Sequence, residues 1–430
     1  MELKEQESVS AVSVLAENIV GSEIIKLSAE ISEKVRGGSR IYNFTIGDFD
    51  PKIYPIPDTL KKEIIQAYID DETNYPAAEG MDLLRKSVLE LLRKRDGIHF
   101  GEKEILIASG ARPIIYTIFR VLVDPGEVVL FPCPSWNNNH YSYLNQARIQ
   151  RIETKAANNF MPVASDIRQH IKEATLIALC SPQNPTGTAF SKSGLVEICD
   201  LILEENRRRG DGVKPLYLMY DQIYRELVYD GTQHYDPVVL RSEMKPYTVY
   251  VDGISKSLAA TGVRVGWCLG PEFIISKIKS LLNHVGAWAP KPEQIATARY
   301  LGDVDDYSDF LDNRKAALRK VLRALYDGFE SLGKGGLPVG VIPPQGGIYL
   351  CVNIPVLGWK RQGGDIISST AGILEFLLDE AGIAMVPFYA FGTLEHPTWF
   401  RLSVGTCKFE EIEQVLQQFR KAVETLVPPK

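Results

Sequence analysis

The sequence predicts an α/β fold built on a mainly parallel sheet. Three observations point there: short, almost uninterrupted apolar runs, helix-length amphipathic stretches between them, and polar or small residues gathered where the runs end. The runs are Ile105-Leu106-Ile107, Val128-Val129-Leu130-Phe131, Leu176-Ile177-Ala178-Leu179, Leu216-Tyr217-Leu218-Met219, Thr248-Val249-Tyr250-Val251 and Val263 to Leu269. Continuous apolar character marks strands covered on both faces. Between them lie segments such as Gly194 to Arg209, with Leu195, Ile198, Cys199, Ile202 and Leu203 on one helical side. Alternation of this kind builds βα units, whose ligands sit beyond the carboxyl ends of the strands.

After residue 300 the pattern changes. A charged amphipathic stretch, Asp306 to Ser331, leads to a Gly/Pro-rich break, GKGGLPVGVIPPQGG. Strands (Ile348 to Val352, Trp399 to Val404) then mix with helices (Ile366 to Ala381, Phe409 to Thr425). The expected division is an N-terminal arm (1–55), a large domain (56–305) and a smaller α+β domain (306–430). The arm, with its turn Gly47-Asp48-Phe49-Asp50-Pro51, is expected to pack on the smaller domain.

Composition narrows the function. The chain has 430 residues, 45% hydrophobic and 24% charged, the make-up of a globular protein with room for more than one core. A net charge of −6 argues against nucleic acid as the main partner. Arg93-Lys94-Arg95 and Arg207-Arg208-Arg209 read as solvated helix ends. No apolar run approaches the ~20 residues that span a bilayer, and the start MELKEQESVS is too acidic for a secretory signal. A cytoplasmic location is expected. Six cysteines without a CxxC pair and six histidines without HExxH spacing suit buried thiols and no structural metal.

The chemistry lies at the strand ends. Ser109-Gly110-Ala111-Arg112 opens a helix, so free N–H groups and the helix dipole offer an anion site. Pro132-Cys133-Pro134-Ser135-Trp136 presents an aromatic ring. In SPQNPTGT, Pro182 and Pro185 stiffen the chain around Asn184. Tyr220-Asp221-Gln222-Ile223-Tyr224 places an acid directly after a strand, costly without a cationic partner. VDGISKSLAATGVRVGW sets Lys256 among small residues, with Arg264 eight positions on. An anion cradle, a flat ring, an amide, a carboxylate, a tyrosine and a lysine together match pyridoxal 5′-phosphate. Its aldehyde links to a lysine, its phosphate takes N–H donors and a bidentate arginine, and its pyridine nitrogen needs an acid.

The ordered set Asn184-Pro-x-Gly, Asp221-x-x-Tyr224, Lys256 with Gly262-x-Arg264-x-Gly266, and Phe400-Arg401-Leu402-Ser403 resembles the fold-type I pyridoxal-phosphate enzymes. Within them it is similar to the class I/II aminotransferases of the bacterial aspartate aminotransferase branch, from about Ile24 to Leu426. The resemblance implies a seven-stranded sheet in the large domain and an amino group passed from an L-amino acid, aspartate or an aromatic one, to a 2-oxo acid. It implies that Lys256 forms the Schiff base and moves protons, that Asp221 pairs with the pyridine nitrogen, and that Tyr224 and Asn184 donate to the phenolic oxygen. Trp136 would stack on the ring, while Gly110, Ala111, Arg112 and Arg264 hold the phosphate. Arg401 would clamp the substrate α-carboxylate, with the backbone of Gly47 closing over it. Tyr75 matches a tyrosine that reaches the cofactor phosphate of a neighbouring subunit, which implies a homodimer.

One departure is Gly253, where many members carry a serine on the phosphate; Ser255 is the candidate replacement. A β-elimination lyase on the same scaffold, or a ligand sensor without catalysis, would share most of these residues. No motif marks a cation for a distal substrate carboxylate; His140, Arg148 and Lys52 are candidates by neighbourhood, and Asn137 to Asn139 are candidates for the pocket wall.

Overall fold

The computed structural model describes residues 11–429, except 20 and 22, so the whole acidic start MELKEQESVS lies outside the described residues. Its centre is a seven-stranded sheet. Across the sheet the order is Ile105–Ala108, Gly266–Leu269, Thr248–Gly253, Tyr217–Asp221, Ala174–Cys180, Val128–Cys133 and Arg148–Glu153. All pairings are parallel except those of Gly266–Leu269, which runs antiparallel to both neighbours.

Successive side chains of these strands feed two different cores. Leu130, Ile177 and Leu179 join one, whereas Val129, Phe131, Leu176 and Ala178 join the other. A strand with apolar partners above and below can have no polar alternation, hence the continuous runs. The exception is Arg148–Glu153, which sequence reasoning did not propose as a strand. Its RIQRIE pattern lies at the sheet edge, and Ile152 is its only fully buried residue.

A third core gathers around a four-stranded antiparallel sheet, ordered Val386–Pro387, Trp399–Ser403, Tyr349–Asn353 and Gly340–Val341, and the 31-residue helix Val304–Lys334. The arm is stitched to this body. Tyr42–Asn43 pairs in parallel with Ile383–Ala384, the Ser403 N–H donates to Phe44 O over 2.8 Å, and the Asp50 N–H to Gly405 O over 2.9 Å. Gly405 permits that approach, since a Cβ there would lie 2.0 Å from Asp48 O.

Several expected boundaries move. The helix placed at Ile366 begins at Thr370, where the Ser369 hydroxyl caps Gly372 N, and it closes in a π-turn, Leu377–Ala381. The final helix is Ile412–Val423, preceded by a single 3-10 turn, and the strand placed from Val263 begins at Gly266. The arginine clusters do end helices, but not every member is solvated. Arg209 is folded onto Glu205 and the carbonyl of Ala174, and Arg95 pairs with Glu226 and Asp96. The six cysteines are free thiols, five of them buried. Among the described residues no helix is long and apolar enough to cross a membrane.

Candidate active site

The carboxyl ends of the strands converge on one cavity of about 970 Å³. Beyond Ile105–Ala108 the chain turns through Ser109 and Gly110 into the helix Ala111–Leu122. Gly110 caps that helix at φ 81°, and a Cβ on it would stand 2.3 Å from Arg264 Nη2. Glycine therefore lets the guanidinium lie against the helix start. Arg264 donates to Thr261 O (2.6 Å) and to Ser109 O (2.9 Å), which aims it beside the free N–H groups of the first turn. Together they form an anion cradle with both dipole and formal charge.

Glycines also explain the departure at position 253. Gly253 pairs across the sheet with Gly266, and a Cβ on Gly253 would meet Gly266 Cα at 2.7 Å and Val265 O at 2.8 Å. A Cβ on Gly266 would in turn meet the Gly110 carbonyl carbon at 2.8 Å. The three backbones are stacked too closely for any side chain. Ser255, two residues on, lines the cavity and its hydroxyl has no protein partner among the described residues.

Asp221 ends its strand with Oδ1 accepting the Ile223 N–H over 3.0 Å. It forms no salt bridge among the described residues, so the cation that its sequence context called for is not a protein side chain. Burial raises its pKa to about 6, against the Ile223 N–H and the charge of Lys256. Lys256 lies on the short turn Ile254–Ser257 and donates to Gly47 O over 2.7 Å. Burial brings its pKa down to about 8; Arg401, Arg112 and Arg264 push the same way and Asp48 opposes them. Its ammonium stands 5.8 Å from the Tyr224 ring centre and 5.9 Å from that of Phe49.

Arg401, in the strand Trp399–Ser403, is 1% exposed and has no carboxylate partner among the described residues. It donates to Thr45 O (2.6 Å) and Asn184 Oδ1 (3.2 Å), it lies over the rings of Tyr349 (4.7 Å) and Phe391 (4.9 Å), and its Nε is unpaired. A buried guanidinium without an anion is costly, which suits a site completed by a carboxylate ligand. Half-buried Trp136 faces the cavity with Phe391 at 6.3 Å, and the Arg112 guanidinium covers it at 5.4 Å.

Of the residues to which the resemblance gave a cofactor or substrate role, all line this cavity except Gly110 and Tyr75. Tyr75 is 81% exposed and rests edge-on against Trp288 at 5.2 Å. His140, Arg148 and Lys52 are not on the cavity wall, and of Asn137 to Asn139 only Asn137 is. Sequence reasoning missed Tyr349, whose hydroxyl is 2.6 Å from that of Tyr224. It also missed the wall built by Ile24, Ile25, Ser28, Ala29 and Ser32 of the helix Glu23–Arg36. The small residues of that helix were the available signal.

Comparison with known proteins agrees with this geometry. Residues 39–419 match the family described as aminotransferase class I and II. An aspartate aminotransferase of Rhizobium meliloti is 27% identical over 410 residues, 94% of each chain. A probable aspartate/prephenate aminotransferase of Rickettsia felis is 27% identical over 425 residues, 96% of each. Among solved structures, an aspartate aminotransferase from Rhizobium meliloti superposes with a TM-score of 0.89 at 25% identity, covering 97% of this chain and all of that one. An aromatic aminotransferase from Pyrococcus horikoshii gives 0.79 at 25% identity, over 92% and 98%. With the family match spanning the central sheet and all of the cavity wall from Thr45 onward, the chain belongs to the class I and II aminotransferases, enzymes that move amino groups.

Proposed function

We propose that this chain is a pyridoxal-phosphate-dependent aminotransferase that takes the amino group of an L-amino acid, aspartate or an aromatic one, and gives it to a 2-oxo acid. The observation that carries the reading is a buried amine, Lys256, and a buried acid, Asp221, facing one cavity with an Arg401 that, like the acid, has no salt-bridge partner among the described residues. When bound, pyridoxal 5′-phosphate supplies an aldehyde for linkage to an amine and a ring that draws electrons from the substrate Cα. The residues fit it: a cradle at Gly110, Ala111, Arg112 and Arg264 for the phosphate, Asp221 for the ring nitrogen, and Trp136 for the ring face.

The chain's own groups then divide the work. Lys256 Nζ, held near pKa 8, is a competent nucleophile and base close to neutral pH, and takes a proton from the substrate Cα. Asp221 as carboxylate holds a proton on the ring nitrogen. Tyr224, oriented by Tyr349, and Asn184 donate to the phenolic oxygen. Arg401 grips the α-carboxylate with two parallel bonds, and Gly47 closes over it.

The assembly and organisation belong to the same proposal. Residues 56–305 form the cofactor-binding domain and 306–430 the smaller one, with 1–55 as an arm. A second copy of the chain covers the apolar exposed residues near Tyr75, among them Ile65, Tyr68 and Ile69, and Tyr75 reaches its cofactor phosphate. The protein works in the cytoplasm. The substrate choice is supported by the relatives' names, and a half-reaction screen tests it. Cofactor-loaded enzyme is mixed with each amino acid and the cofactor's visible band is followed. The reading expects aspartate or an aromatic amino acid to bleach the band and a 2-oxo acid to restore it. Ammonia release without restoration would contradict transfer.

A further inference from the structure

The neighbouring strands Val128–Cys133 and Arg148–Glu153 end beside a loop of the C-terminal body, Phe391 to His396, and residues at or just past the two strand ends are tied to that loop at four points. Ser135 N–H donates to Phe391 O (2.9 Å), Leu394 N–H to Glu153 Oε1 (3.0 Å), the Thr393 hydroxyl to Glu153 Oε2, and His396 Nε2 lies 2.8 Å from Thr154 O. Glu153 forms no salt bridge among the described residues. Both carboxylate oxygens are instead spent on this loop, with donors that are neutral, so the bonds gain from the carboxylate charge. The loop begins at Phe391, and that ring touches the site twice: 4.9 Å from the Arg401 guanidinium and 6.3 Å from the Trp136 ring.

We propose that Glu153 is a positioning residue for substrate binding: through Thr393 and Leu394 it fixes Phe391 against Arg401 and Trp136, and so sets the orientation of the carboxylate clamp. The inference rests on the reading of Arg401 as that clamp. It follows from the geometry that, among the described residues, Arg401 has only one side-chain hydrogen bond, to Asn184, and one to a backbone carbonyl; the rest of its orientation comes from the rings of Tyr349 and Phe391. A loop freed from Glu153 keeps its ties at Ser135 and Thr154 but loses both bonds in the stretch that directly follows Phe391, so the ring can shift against the guanidinium it walls.

The test is steady-state kinetics on cofactor-saturated enzyme. Glu153→Ala should raise KM for every amino-acid substrate by roughly tenfold, the scale of losing hydrogen bonds to a charged group. Under the same conditions kcat should stay within about threefold. Glu153→Gln keeps an acceptor for the Leu394 N–H and should recover part of the loss. Thr393→Val, which removes a single bond, should show a smaller rise and serves if Glu153→Ala does not fold. Combined with Phe391→Leu, Glu153→Ala should add little to the KM of Phe391→Leu alone, because both act through one ring. An unchanged KM with a lowered melting temperature, or fully additive effects, overturns the inference. Arg401→Lys is measured alongside. If it raises KM while Glu153→Ala does not, only the present inference fails; if it leaves KM unchanged, the clamp assignment fails and this inference with it.

Discussion

The ammonium of Lys256 donates to the carbonyl oxygen of Gly47 over 2.7 Å, across 209 residues of chain. One bond thus ties the turn that follows the central strand Thr248–Gly253 to the arm. It also keeps the lysine's single polar group satisfied while burial and three arginines lower its pKa. A carbonyl is a partner that an amine can leave without creating an isolated charge, unlike a carboxylate. The lysine is held, and it is free to react.

Asp221→Asn is expected to lower kcat by about a hundredfold or more while changing cofactor affinity far less. The carboxylate has no protein cation to satisfy, so its charge acts on the ligand as electrons move, and electrostatic groups of this kind are worth roughly that factor. Transient kinetics of the first half-reaction, beside a cofactor titration monitored by absorbance, checks it. Wild-type rates in the variant would assign the ring nitrogen to another residue.

Gly253→Ser should not restore a phosphate hydroxyl. The new Cβ would press on backbone atoms of Val265 and Gly266, which cannot rotate away, and overpacking of this kind costs about 1–3 kcal/mol. Thermal denaturation should show the loss. Ser255→Ala, by contrast, should leave the melting temperature of cofactor-free protein unchanged and weaken cofactor binding severalfold, read by titration. A stable Gly253→Ser variant with tighter binding would refute the stacked-backbone explanation.

Much of this site was legible because the chemistry sits at strand ends in a fixed order: Asn184, Asp221 and Lys256 each follow a run whose apolar character is unmistakable. Arg401 was read from its motif. Tyr349 was not legible, because within the apolar stretch Ile348 to Val352 a tyrosine looks like any core aromatic, and only the approach of Tyr224 gives it a role. The strand Arg148–Glu153 was hidden by its charges, which an edge position tolerates on the side away from the core. The wall from the helix Glu23–Arg36 depends on how the arm folds back; its small residues mark a face for close approach but do not encode what approaches it. Gly253 was noticed as a missing hydroxyl, whereas the backbone contacts that exclude a side chain are long-range.

Tyr75→Phe and Lys256→Ala should complement each other. If Tyr75 serves the neighbouring subunit, each active site draws on two chains. A mixed dimer then carries both lesions in one site and none in the other. Mixing two severely impaired parents under exchange conditions should recover activity, up to about half per mixed dimer by site counting. No recovery despite exchange demonstrated by mass spectrometry would place Tyr75 in a purely local contact with Trp288.

The central claim is that Lys256 is the residue that carries the cofactor. Borohydride reduction of the cofactor-loaded protein, followed by peptide mapping, tests it most directly. The account predicts a single pyridoxyl label, on Lys256. It also predicts that covalent capture of pyridoxal phosphate by cofactor-free protein accelerates as pH rises through about 8, where the buried amine loses its proton, and levels off above that. A label on any other lysine would contradict it, whatever the activity of the preparation.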